Sequence, residues 1–79
     1  MPTVLHSGPY RFFFYAGDRP EPPHVHVERD ASKARFWLGP PGALFSSTGF
    51  SRAELNTVYR LIEQHHDLLL QSWHDYFAP

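Results

Sequence analysis

A chain of 79 residues, 42% apolar and 16% aromatic, with 8 prolines, 5 glycines and no cysteine, has room for one domain. The lack of cysteine excludes disulfides, thiolate metal sites and cysteine nucleophiles together, so any metal must be held by histidine and carboxylate. A net charge of -1 with histidines neutral argues against a nucleic-acid binder driven by overall charge, and no apolar run approaches the ~18 residues of a membrane span, so a cytoplasmic protein without membrane contact is expected.

In chain order, Tyr10 to Tyr15 is a short aromatic run with high strand propensity, ended by Ala16, Gly17, Asp18 and the Pro20, Pro22, Pro23 cluster. A second strand is predicted at His24 to Arg29, where apolar and polar residues alternate strictly. A third, Lys33 to Leu38, follows a hairpin loop of Asp30, Ala31 and Ser32. Gly39, Pro40, Pro41 and Gly42 stop it, and Ala43 to Ser47 adds a short edge strand. Ser51 with Glu54 three positions on is a capping box, with Phe50 placed to staple onto Leu55. Leu55, Val58, Tyr59, Ile62, Leu69, Trp73 and Phe77 then recur at helical spacing, with a break expected near Gln64, His65 and His66.

The class predicted is therefore α+β: a three- to four-stranded antiparallel sheet over about residues 9–47, with helices over about residues 51–77 packed on one face. Leu61, Leu68, Leu70 and Tyr76 fall off the apolar stripe. That surplus calls for a wrapped core, a homo-oligomer or another partner.

Strand side chains alternate sides, so parity sorts the sheet. Tyr10, Phe12, Phe14, Val25, Val27, Ala34, Phe36 and Leu38 form a core face. Arg11, Phe13, Tyr15, His24, His26, Glu28, Lys33, Arg35 and Trp37 share the other, which is polar, basic and aromatic at once. Three large rings on that side of so small a domain predict a bound ligand.

The distinctive local signal is Glu21-Pro22-Pro23-His24-Val25-His26-Val27-Glu28, whose alternation points His24, His26 and Glu28 out of one face. Two such imidazoles suit an acid and a base for phosphoryl chemistry, a ribonuclease-like arrangement, or neighbouring ligands of a divalent metal. For a metal the third ligand is open: Glu28 is nearest, and His66 or His74 could arrive only through tertiary packing. Arg11, Lys33 and Arg35 would contact phosphates, and Tyr15 and Trp37 would stack on bases. The plainer alternative is a solvated face whose basic residues are cross-strand partners of Glu28 and Glu21. His65 and His66 read as a polar helix junction, His6 and His74 as exposed. Six histidines would carry the net charge from -1 to +5 on full protonation, so electrostatics should depend on pH. No catalytic triad order, phosphate-cradling glycine loop or zinc-finger spacing is present.

The runs Tyr10–Tyr15, Glu21–Val27 and Lys33–Leu38, with Gly49-Phe50 and the terminal Trp73-x-x-Tyr76-Phe77, resemble the small prokaryotic domain-of-unknown-function family numbered 4160. That resemblance implies a stand-alone protein encoded beside a small protein of the family numbered 2442, in a pair of toxin–antitoxin type, with this chain as the toxin-like member. Joined to the face chemistry, it leads to the expectation of a toxin acting on nucleic acid, RNA foremost, with an antitoxin-like partner. A non-enzymatic protein- or DNA-binding module and a metal-binding protein using His24 and His26 stand as alternatives.

Overall fold

The computed structural model describes residues 3–39 and 44–78. Five strands, β1 (Thr3–Ser7), β2 (Tyr10–Phe13), β3 (His24–Arg29), β4 (Ser32–Trp37) and β5 (Leu44–Thr48), form an antiparallel meander in chain order. Two helices follow, α1 (Arg52–Gln64) and α2 (His66–Phe77). The α+β class, the antiparallel sheet and the C-terminal helices are as predicted. The sheet has five strands, not three to four, and starts at Thr3 rather than near residue 9.

The additional strand is β1. Ser7 pairs with Tyr10, so Gly8 and Pro9 are the entire connection. Gly8 takes a positive φ of 56° and proline fixes a negative one after it, the Gly-first pattern of a two-residue hairpin. β2 is two residues shorter than the predicted strand. After Phe13 the chain leaves the sheet and winds into a single 3-10 turn, Ala16–Asp18, closed by the Asp18 N–H donating to the Tyr15 carbonyl at 3.0 Å. Between β3 and β4 the loop is only Asp30 and Ala31, because Arg29 pairs with Ser32; Asp30 supplies the positive φ of 53°. The predicted stop at Pro40, Pro41 and Gly42 and the predicted strand residue Ala43 lie outside the described residues.

Parity sorts the core face as predicted. Phe12, Phe14, Val25, Val27, Phe36 and Leu38 are buried there against Val58 and Ile62 of α1 and Leu69 and Trp73 of α2. Each such side chain contributes about 1.5–3 kcal/mol by leaving water. Ser51 caps α1 by accepting the Glu54 N–H at 3.2 Å. The reciprocal arm of the expected capping box is missing: the Glu54 carboxylate instead takes Arg29 Nε at 2.7 Å and Nη2 at 2.8 Å, tying α1 to β3. Phe50 lies with its ring centroid 6.1 Å from that of Tyr10.

The helices part at His65, whose ψ of 17° departs from helical values, as the polar junction predicts. The His66 ring hydrogen-bonds the Leu38 carbonyl and so anchors the start of α2 to the end of β4. Of the surplus apolar residues, Leu61 and Leu70 pack on the core, whereas Leu68 and Tyr76 stay exposed. Among the described residues no helix is long and apolar enough to cross a membrane.

Candidate functional site

The second face of the sheet is built by register. Phe13 lies opposite His26, His26 opposite Arg35, His24 opposite Trp37, and Glu28 opposite both Arg11 and Lys33. The residues sorted to this face by parity do share it, but they are not an open polar surface. Phe13 is buried and stacks on the His26 ring with centroids 5.3 Å apart and planes 20° off parallel. Tyr15 meets the same imidazole edge-on at 4.6 Å, and Trp37 stacks on Phe45 of β5 at 4.3 Å. The rings expected to await a ligand therefore cover one another; only Tyr15 is well exposed, at 39%.

His24 is wholly enclosed, its ring 5.3 Å from Trp73 and 5.7 Å from Trp37. It cannot touch a substrate on the surface, so the expected pair of facing acid and base histidines is reduced to one, His26, itself 9% exposed but lining the neighbouring cleft. The sequence reading also missed Asp18. It follows Gly17 in what reads as loop punctuation, but the 3-10 turn swings it back over the sheet, where it is 7% exposed. Its Oδ2 accepts the Tyr15 N–H at 3.0 Å and lies 2.9 Å from His26 Nε2; its Oδ1 lies 3.4 Å from His24 Nε2 without a hydrogen bond. The available signal was the spacing Asp-x5-His-x-His, an acid on the turn that precedes the histidine strand.

Tautomers follow from these partners. His24 Nδ1 is 3.0 Å from the Pro22 carbonyl, which can only accept, so Nδ1 carries the proton and donates. When that ring is neutral, its Nε2 is a buried lone pair with no hydrogen-bond partner. His26 has its pKa lowered, first by burial, then by the neighbouring His24 and Arg35 charges, with Asp18 opposing them. It is neutral at pH 7, when its Nε2–H donates to Asp18. Ligand atoms of Asp18, His24 and His26 all lie within 4.8 Å of one another, so among the described residues these three, and not Glu28, His66 or His74, form a set able to hold a cation. Glu28 is occupied by Arg11, whose Nε reaches its carboxylate at 2.7 Å, while His66 is held by Leu38 and His74 is exposed.

Beside the cluster opens a cleft of about 240 Å³, lined by Phe13, Tyr15, His26, Lys33, Arg35 and the hydroxyl-bearing run of Ser46, Ser47 and Thr48. Among the described residues no acidic side chain lines it. The Arg35 guanidinium lies 4.0 Å above the Phe45 ring and donates Nε–H to Ser46 Oγ at 3.1 Å, which fixes the plane and leaves both terminal nitrogens for an anion. The predicted set thus divides. His26, Lys33, Arg35 and Tyr15 meet at the cleft; Arg11 is spent on Glu28 and Thr3, and Trp37 on Phe45. For Arg11 the cross-strand alternative is the one observed.

The family model described as Domain of unknown function (DUF4160) matches residues 10–74. No curated protein and no solved structure matches the chain. The matched span includes Asp18, both strand histidines, Lys33 and Arg35.

Proposed function

We propose, for a chain that belongs to the domain-of-unknown-function family DUF4160, that it binds RNA through a phosphodiester seated in the cleft beside His26. The observation that supports this reading is the pairing of Lys33 and a pre-oriented Arg35 with the edge of a largely buried imidazole in a cleft that no carboxylate lines among the described residues. Oxyanions are held best where cationic donors are fixed before the ligand arrives. Tyr15, exposed at the cleft and edge-on to His26, offers a face for one unstacked base, as single-stranded RNA presents and duplex DNA does not.

His26 is the residue placed for chemistry. Neutral, and donating Nε2–H to Asp18, it keeps a lone pair on Nδ1 that can take a proton from a hydroxyl nucleophile, while Asp18 stabilises the imidazolium that results. The biological setting that the sequence resemblance supports is a toxin-like role in the cytoplasm, restrained by a small antitoxin-like partner of the family numbered 2442. Exposed Leu68 and Tyr76 on α2 are surface that such a partner could cover.

The experiment is a binding and cleavage assay on single-stranded RNA with the wild type and with Arg35→Gln and His26→Asn, each confirmed folded by circular dichroism. The reading requires weaker binding in the first and slower cleavage at retained binding in the second. A folded wild type that neither binds nor cleaves RNA, yet co-purifies with a neighbouring gene product, would instead make the chain a non-enzymatic binding module.

A further inference from the structure

Asp18, His24 and His26 pose a problem that proton transfer at His26 does not resolve. His24 Nε2 is fully buried, has no hydrogen-bond partner, and lies 3.4 Å from Asp18 Oδ1. A buried lone pair beside a buried anion is unfavourable on both counts, desolvation and repulsion. The carboxylate is itself under-compensated: it receives one backbone N–H and one imidazole, with no lysine or arginine against it among the described residues. A cation that took the place of the His26 Nε2 proton would compensate the carboxylate and give the His24 lone pair a partner.

We propose that Asp18, His24 and His26 are the ligands of one divalent metal ion of the zinc type, bound through an Asp18 carboxylate oxygen and the Nε2 atoms of both histidines. Donors about 2.0–2.1 Å from a tetrahedral ion stand about 3.3 Å from one another. Asp18 Oδ2 to His26 Nε2 at 2.9 Å and Asp18 Oδ1 to His24 Nε2 at 3.4 Å run to different carboxylate oxygens and lie on either side of that spacing, and one donor atom from each residue falls within 4.8 Å of the other two. The supporting hydrogen bonds are those of a ligand set. His24 donates Nδ1–H to the Pro22 carbonyl, which fixes Nε2 as the coordinating atom, and Tyr15 N–H holds the carboxylate. Two prolines before the strand and a 3-10 turn under the acid keep all three donors on ordered backbone.

Two histidines and a carboxylate are a set used for zinc when a position is left open to water or substrate, and the ligand His26 forms part of the adjoining cleft. Metal and proton compete for His26 Nε2, so the metal-loaded and metal-free proteins are two states of one site. Binding must displace the His26 Nε2 proton. The inference goes beyond the RNA reading and does not need it: the cluster is complete without Lys33, Arg35 or any nucleic acid.

The test uses untagged protein, since a histidine tag binds the same ions. Zn²⁺ is titrated into EDTA-stripped, dialysed protein by calorimetry in the absence of RNA, for wild type, Asp18→Asn, His26→Asn and the control His6→Ala with His74→Ala. One equivalent is expected in the wild type and the control, with affinity falling at least tenfold in each single variant. In parallel, long-range ¹H–¹⁵N spectra of the wild type with and without Zn²⁺ read the imidazole nitrogens directly. The Nε2 resonances of His24 and His26 should both move while His24 Nδ1 stays protonated. Unmoved Nε2 resonances, or a Zn²⁺ equivalent retained in both folded single variants, would overturn the assignment. The wild-type spectra decide if neither variant folds. Loss of RNA binding in Arg35→Gln with zinc binding intact separates failure of the metal site from failure of the RNA reading.

Discussion

Replacing Arg35 by glutamine removes one of the two cations in the cleft and keeps much of the side chain that lies over Phe45 and beside Ser46. A charge-assisted contact from a half-buried guanidinium to a phosphate is worth about 1.5 kcal/mol, so RNA affinity should fall little more than tenfold. Salt dependence gives a sharper number. Each phosphate neutralised on a single strand contributes about 0.7 to the slope of log K against log salt, so Lys33 and Arg35 together predict about -1.4. Raising salt from about 50 to about 200 mM should then weaken wild-type binding about sevenfold, and the variant, with a slope near -0.7, by under about threefold. Fluorescence anisotropy of a labelled single-stranded RNA across that salt range measures both quantities. Arg60→Gln, on the exposed surface of α1, is the control and should leave the slope where it is. A slope unchanged by Arg35→Gln, or lowered as much by Arg60→Gln, would refute the placement of the phosphate.

Three further outcomes concern the scaffold. Gly49 has a φ of +92°, and a Cβ there would stand 2.7 Å from Ser32 Oγ and 3.1 Å from Ser32 Cα, so Gly49→Ala should cost about 2 kcal/mol and lower Tm by about 10 °C. Gly8→Ala, at φ +56° with open space around it, should cost about half as much; equal costs in thermal melts would count against the steric reading. Trp73→Ala removes a ring packed on Phe14, His24 and Phe77 and should cost about 3–5 kcal/mol, most of the stability of a domain this size, as urea denaturation would show. Glu54 has its pKa lowered, first by the hydrogen bonds from Arg29; a lowered carboxylate stabilises above its unfolded pKa and loses that contribution as pH falls through the folded one. Urea midpoints of the wild type should therefore drop more between about pH 5 and pH 3 than those of Glu54→Gln, and parallel curves would exclude the pair as a source of acid sensitivity.

Much of the fold could be read because strand parity is strict. Val25, Val27, Ala34 and Phe36 alternate with His24, His26, Lys33 and Arg35, and the register of β3 on β4 keeps both sets in place. The break at His65 was legible for a similar local reason, a polar interruption of an apolar stripe. β1 was not, since Thr3 to Ser7 is short and its pairing depends on a Gly-Pro turn easily taken for a frayed end. Asp18 escaped for a different reason. Its one signal, the Asp-x5-His-x-His spacing, does not say that a 3-10 turn will carry the carboxylate back over a histidine eight residues on. The sheet's second face was sorted correctly but read as open, because parity assigns a side and says nothing about how Phe13, Trp37 and Phe45 close over it.

The proposed RNA binding rests on one place, the cleft between the Asp18–His26 pair and the cations of β4. Titrating ¹⁵N-labelled protein with a short single-stranded RNA and following the amide resonances locates the contact directly. Shifts should concentrate at Tyr15, His26, Lys33, Arg35 and Ser46 to Thr48. Shifts confined to the α2 surface around Leu68 and Tyr76, or none at saturating RNA, would contradict it.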